Sequence, residues 1–370
     1  VSWAIWITGV PGSGKSAIAR AAAAALAAGG EFVRLLELDA LRRTLTPAPL
    51  YDETERQAVY RALVLIARAL TRAGVPVIID ATGHRREWRE LARASIRDFA
   101  EVQLLCPLDV ARERERTRGP GHHPRAIYAR AARPGATVPG VNVPYEPAVA
   151  PELTIDTTRE SVHDAGLQVA ALARRLSRAP SPLPVADGWT IWVTGRPGSG
   201  KTTVVGGVCD RLHARGVPVT VLEPRDFVAG IARAGAPAPR ECAIVTRALV
   251  LAAKLLNESG VAVLIDGPPP FGEGFGLARE IVRHVARVEL VCAPDVGRGR
   301  ARAVRWRLVP SPEVGPAPVM PEPGPEAEPA VAADRVIDTD ALDAWTAIEE
   351  VMHLAERLSR AARETPHLYR

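Results

Sequence analysis

The 370 residues hold 47 lysines and arginines against 42 acidic residues, a net charge of +5, with 47% hydrophobic and 24% charged side chains. These are proportions of a soluble globular protein of about two domains, and no run of ~20 uncharged apolar residues offers a membrane span. Four scattered cysteines without a C-x-x-C exclude a disulfide framework and fit a reducing, cytoplasmic setting, while arginines spread along the chain speak for an anionic small molecule and against nucleic acid.

The apolar run Trp3-Ala4-Ile5-Trp6-Ile7 predicts a strand near 3–8, with the tryptophans in the core. Gly9-Val10-Pro11-Gly12-Ser13-Gly14-Lys15-Ser16 follows and satisfies the phosphate-loop pattern G-x4-G-K-[S/T], ahead of a helix over Ala17 to Ala28. Such a loop cradles phosphates on its N–H groups at a helix N-terminus, with Lys15 between the phosphates and the Ser16 hydroxyl on Mg2+. The chain contains only three lysines, and two of them, Lys15 and Lys201, end copies of this motif. A lysine's compact ammonium can reach between phosphates where arginine's planar fork cannot.

A second strand is predicted near 32–38 and ends beside Asp39, placed to orient an attacking hydroxyl or to hold Mg2+-bound water; the structural alternative is a helix N-cap. Arg42, Arg56 and Arg61 lie where they could clamp an anionic acceptor, the last two on a helix over Glu53–Ala73. Strands near 75–80, 102–106 and 153–156 flank a helix over Arg85–Phe99. Asp80 closes the first of these strands in the hydrophobic-run-plus-Asp arrangement that supports Mg2+. Cys106 is expected to be an inert core residue, like Cys292, and His122-His123 reads as a loop and not a metal site.

A fixed offset of 186 residues carries Trp3 to Trp189, Glu37 to Glu223, Asp80 to Asp266 and Cys106 to Cys292. The same offset carries the phosphate loop to Gly195-Arg196-Pro197-Gly198-Ser199-Gly200-Lys201-Thr202, whose Thr202 and Asp266 are the second candidate Mg2+ pair. The expected fold class is therefore α/β: two tandem P-loop NTPase domains, each a parallel sheet flanked by helices, with ligands at the C-terminal ends of the strands. The predicted boundaries are a first domain over 1–178, a Pro-rich linker over 179–188 and a second domain over 189–362, with a disordered Pro/Glu-rich loop at 309–330.

Further motifs appear in order: Glu37-Leu38-Asp39-Ala40-Leu41-Arg42, Tyr51 to Arg61, Pro107-Leu108-Asp109-Val110-Ala111-Arg112-Glu113-Arg114, Pro144-Tyr145-Glu146-Pro147 and Leu153-Thr154-Ile155-Asp156-Thr157. On these residues the first domain resembles the adenylylsulfate kinases, over about residues 2–178, and the second resembles them more faintly. The resemblance implies phosphorylation of the 3′-hydroxyl of adenosine 5′-phosphosulfate by ATP with Mg2+. It implies Asp39 as the catalytic carboxylate beside Lys15, and Arg42, Arg56 and Arg61 around the nucleotide-sulfate. It further implies Tyr51 stacked on the acceptor's adenine and Arg114 near the base of ATP. The loop residues Gly9, Gly12, Ser13, Gly14, Lys15 and Ser16, with Gly195, Gly198, Ser199, Gly200, Lys201 and Thr202, are the expected ATP contacts.

The chain departs from the family pattern at Val59, at Val138 and over Asp80-Ala81-Thr82-Gly83-His84. Two other readings therefore stay open: a kinase for another hydroxyl acceptor (a sugar, an antibiotic or a polynucleotide 5′ end), and a non-catalytic nucleotide-sensing module. In the second domain Arg225 and Val228 stand at the offset positions of Asp39 and Arg42, so that domain is expected to bind nucleotide and transfer poorly. The sequence leaves a homodimer open.

Overall fold

In the computed structural model the described residues are 2–117, 128, 131, 137–177, 184–232, 238–267, 274–305 and 332–365. Internal contacts divide the chain into two units, Val1–Leu183 and Pro184–Arg370. The predicted loop at 309–330, the linker residues 179–183 and His122-His123 lie outside the described residues.

The first unit alternates β1 (Trp3–Thr8), α1 (Lys15–Ala28), β2 (Arg34–Glu37), α2 (Leu38–Leu45), α3 (Glu53–Arg72), β3 (Val77–Asp80), α4 (Arg86–Ser95), β4 (Asp98–Leu105), α5 (Leu108–Arg116), β5 (Leu153–Asp156) and α6 (Val162–Leu176). Its sheet runs β2-β3-β1-β4-β5, and every neighbouring pair is parallel. β1 lies at the centre and is buried along its whole length, including Trp3 and Trp6. Burial on both faces explains why these strands read as continuous apolar runs. Ile5, Ile7, Ile18, Leu26, Val102, Ile155 and Val169 form one core between the sheet, α1 and α6.

The second unit repeats the pattern with β6 (Thr190–Gly195), α7 (Lys201–Ala214), β7 (Val219–Leu222), α8 (Pro224–Ile231), α9 (Pro239–Asn257), β8 (Ala262–Asp266), α10 (Gly274–Ile281), β9 (Val285–Val291), α11 (Pro294–Arg305), β10 (Arg335–Asp338) and α12 (Ala344–Glu364). Its strands lie in the equivalent order, β7-β8-β6-β9-β10, again all parallel.

Three local expectations are corrected. The helix predicted over Arg85–Phe99 stops at Ser95, and Phe99 belongs to β4, which starts at Asp98 rather than at 102. Trp88, Ala92, Ile96 and Phe99 mimic one helical face by spacing, but β1 requires a partner along its full length and pairs Trp3 with Asp98 and Ala4 with Phe99. Asp39 is not an N-cap: Glu37 caps α2, and Asp39 sits in that helix's first turn. Cys106 and Cys292 lie just past the ends of β4 and β9, part-exposed at the rim of the sheet and not in the core.

Candidate functional site

The first phosphate loop turns out of β1 and into α1. Gly12 (φ 80°) and Gly14 (φ 99°) adopt left-handed backbone that a side chain would resist. A Cβ on Gly12 would also lie 2.3 Å from the Ala111 carbonyl oxygen, so the loop seats directly on α5. Gly14 is the N-cap of α1, and no acidic residue occupies that helix's first turn, which leaves its positive end to an anion. The Ser13 hydroxyl is fully buried and has no partner among the described residues. Lys15 reaches back along the loop and donates to the carbonyls of Gly9 (3.0 Å) and Val10 (2.9 Å).

Carboxylates close the same end of the sheet. Register places Asp80 beside Ile7 on one side and Glu37 on the other. Burial raises the Asp80 carboxyl above its ordinary range, the Lys15 charge and a hydrogen bond with Ser16 pull it back, and the charges of Glu37 and Asp39 raise it further. Lys15, Ser16, Glu37, Asp39 and Asp80 therefore share one electrostatic neighbourhood. Arg20 pairs with Glu37 at 2.7 Å. Among the described residues no group of three or more His, Cys, Asp and Glu side chains is arranged to hold a metal by itself. The donor set suits Mg2+ bound through one hydroxyl, water and substrate phosphates, with Asp80 behind the Ser16 hydroxyl.

α2, the turn after it and the start of α3 build a cationic and aromatic cluster. Arg42 lies 3.6 Å from Glu55 and over the ring of Tyr51, with 5.4 Å to its centroid. Tyr51 is 40% exposed and, among the described residues, the one non-glycine with positive φ, at 59°. Its conformation is held by Glu55, whose carboxylate accepts from the N–H groups of Leu50 (2.9 Å) and Tyr51 (3.2 Å), while Asp52 caps α3 by accepting from Glu55 N–H (2.8 Å). Arg56 is buried and donates to the Tyr51 carbonyl (3.3 Å) and the Thr137 hydroxyl (2.5 Å). Arg61 lies further along α3, partly exposed. Arg114 lies on α5, the helix that supports the loop, and donates to the hydroxyl (2.9 Å) and carbonyl (2.6 Å) of Thr157 at the end of β5.

Sequence reasoning missed the scaffold around residues 80–86. Tyr60 stacks on Trp88 (centroids 4.0 Å apart) and lies parallel to Trp6 (6.2 Å), with His84 edge-on to Trp88 (4.9 Å). The Tyr60 hydroxyl accepts from Gly83 N–H (3.0 Å), and the Asp39 charge reaches that hydroxyl. Tyr145 of the Pro-Tyr-Glu-Pro motif shares hydrogen bonds with Thr8 (2.9 Å) and Gln103 (3.0 Å), and Glu146 accepts from Arg86 N–H (2.7 Å). Arg89 is fully buried and donates to Glu101 (2.5 Å), to the Gly83 carbonyl and to the Glu146 carbonyl (2.6 Å). The available signal was Glu101 itself, a charge inside the apolar run Phe99-Ala100-Glu101-Val102. Burial and the surrounding arginines hold the His84 imidazole neutral, with its pKa lowered to about 4. Tyr128 donates to the Pro11 carbonyl (2.6 Å), so that its ring edge meets the phosphate loop.

In the second unit Lys201 donates to the carbonyls of Gly195 and Arg196, both at 2.9 Å, and Thr202 donates to Asp266 at 2.8 Å. The carboxylate of Asp39 has no equivalent at the offset position, where Arg225 pairs with Glu223.

The sequence model of the adenylylsulphate kinase family matches residues 1–156 and again 187–304. A probable adenylyl-sulfate kinase of Archaeoglobus fulgidus is 37% identical over 162 residues, which cover 43% of this chain and 98% of that protein. An adenylyl-sulfate kinase of Microcystis aeruginosa is 33% identical over 167 residues, 45% of this chain and 87% of that protein. Among solved structures, the APS kinase of Mycobacterium tuberculosis in complex with AMPPNP and APS is similar at 28% identity and a TM-score of 0.41, covering 47% of this chain and 98% of that one.

Proposed function

The chain belongs to the adenylylsulphate kinase family of ATP-dependent phosphotransferases that act on a hydroxyl group, and on that premise we propose that its first unit phosphorylates the 3′-hydroxyl of adenosine 5′-phosphosulfate. One observation carries the reading. Asp39 lies in the first turn of α2, just after Glu37, which is in register with Asp80, and one turn before Arg42, which lies over the Tyr51 ring. A carboxylate between a phosphate cradle and an acceptor pocket is where phosphoryl transfer needs one.

In this reading the loop amides and the Lys15 ammonium hold the β- and γ-phosphates. Mg2+, held through Ser16 with Asp80 behind it, neutralises charge on those phosphates when bound. Asp39 orients the acceptor hydroxyl and takes its proton as the new O–P bond forms and the bond from γ-phosphorus to the β–γ bridging oxygen breaks. ADP leaves with the electron pair of that bond. Arg42 and Arg56 supply positive charge for the acceptor's phosphosulfate, Tyr51 a stacking face for its adenine, and Arg114 a contact for the base of ATP. Most of the rate gain comes from positioning and fixed charge.

The rebuilt segment Asp80 to His84 and the apolar Val59 and Val138 favour, as a second reading, a different small hydroxyl acceptor on the same machinery. Coupled ADP release, measured with adenosine 5′-phosphosulfate and with a panel of sugars, aminoglycosides and 5′-hydroxyl oligonucleotides, separates the two. Turnover of the sulfonucleotide alone supports the first reading, and exclusive turnover of another acceptor replaces it. Nucleotide binding with no acceptor-dependent release would leave a sensing module. Among the described residues no helix is long and apolar enough to cross a membrane.

A further inference from the structure

The second unit retains one side of the site and lacks the other. On the nucleotide side, a Cβ on Gly198 would lie 2.0 Å from the Gly297 carbonyl oxygen, so this loop seats on α11 as the first seats on α5. Gly200 is left-handed (φ 89°) at the start of α7, whose first turn again carries no acid. Ser199 is fully buried with no partner for its hydroxyl among the described residues. Thr202 and Asp266 keep their hydrogen bond, and Arg300 donates to the Thr339 carbonyl (3.1 Å) as Arg114 does to that of Thr157.

On the acceptor side less remains: Arg247 keeps the position of Arg61, and Asp226 stands in the first turn of α8 one residue beyond the position of Asp39, but the other groups are replaced. Arg225 replaces Asp39, and a guanidinium does not accept a hydroxyl proton. Val228 replaces Arg42 and is buried, Cys242 replaces Arg56, Thr246 replaces Tyr60, and Gly274 replaces Trp88. The losses thus fall on the acceptor side of the β- and γ-phosphate position, where Arg247 is the one clamp residue kept in place, and the nucleotide side is retained. The retained side is not free to keep, because the buried Ser199 hydroxyl without a partner among the described residues weighs against the fold. A phosphate chain would give that hydroxyl a partner and would offer an anion to the Lys201 ammonium, which here donates to the Gly195 and Arg196 carbonyls.

From this division we infer that the second unit binds ATP with a divalent ion and does not transfer its γ-phosphoryl group. It is a second nucleotide site whose occupancy is separate from turnover.

The test is equilibrium dialysis of the full chain against AMPPNP with Mg2+, paired with acceptor-dependent ADP release. Wild type should bind two equivalents. Lys15→Ala should bind one and release no ADP, and Lys201→Ala should lose one equivalent through an affinity drop of roughly 10–100-fold, the worth of a charge-assisted contact. Thr202→Ala, which leaves Lys201 in place, guards against misfolding: its affinity at this site should fall in Mg2+ and match wild type in EDTA. A single equivalent in wild type that Lys15→Ala abolishes would overturn the inference, as would ADP release by Lys15→Ala, or a Thr202→Ala chain unaffected in Mg2+. Two bound equivalents with no turnover of any acceptor would leave this inference standing while sinking the kinase reading of the first unit.

Discussion

The two units share a strand order and a phosphate loop but differ in what surrounds the loop's far side. In the first unit a fully buried Arg89 ties α4 to β4 through Glu101 and fixes both the Gly83 and Glu146 carbonyls. In the second, Phe275 stands at the position of Arg89 and Arg287 at that of Glu101, and the guanidinium of Arg287 lies over the Phe275 ring at 5.9 Å. An aromatic contact stands where the first unit has an ionic tie. The grip on phosphates is local, built from one loop and the strand beside it. The proposed acceptor site is assembled from distant segments, and it is the part that differs most between the units.

Four measurements sharpen or break this contrast. The largest expected effect is on catalysis: Asp39→Asn should lower acceptor-dependent ADP release by about 10²–10⁴-fold with AMPPNP binding unchanged in stoichiometry, the usual contribution of a positioned general base. A loss below tenfold would remove the main chemical difference between the units. Next, Arg89→Ala leaves the buried Glu101 with the longer contact to Arg93 (3.7 Å) and should destabilise the first unit by about 3 kcal/mol. Calorimetry should show one transition moving down while the other stays, and a shift of both together would deny that the units unfold separately. Tyr145→Phe removes a hydroxyl shared by Thr8 and Gln103 and should cost about 1–3 kcal/mol of first-unit stability, read as a lower denaturant midpoint.

The smallest effect is a pH slope. His84 stays neutral in the fold down to about 4, whereas an ordinary histidine protonates near 6.5. The unfolded chain therefore binds the proton first as pH falls, so stability is complete above pH 6.5 and declines toward pH 4. His84→Asn should flatten that part of the pH profile in the first unit's melting temperature. The second unit, with Pro270 at the offset position, should not respond.

Much of this was legible in the chain before any coordinates. The loops announce themselves because their chemistry is contiguous: glycine, lysine and hydroxyl residues within eight positions, preceded by an apolar strand. The place of Asp80 at the end of β3 was legible because a lone carboxylate closes an apolar run. The acceptor scaffold was not, because its partners lie far apart in sequence: Tyr60 with Gly83, Thr8 with Tyr145, Arg89 with Glu146. No periodicity records such pairs. The end of α4 was misread for a related reason, since four apolar residues at helical spacing were divided between a helix and the strand that β1 required.

Tyr51 holds its ring over Arg42 from a backbone conformation that most side chains avoid. Glycine or asparagine would rest there more easily, so a selection for heat resistance alone should discard the tyrosine. Variants recovered from such a screen would be sturdier proteins with a weakened hold on the adenine proposed to stack there, and the opposing trends would locate at one residue the tension between durability and recognition.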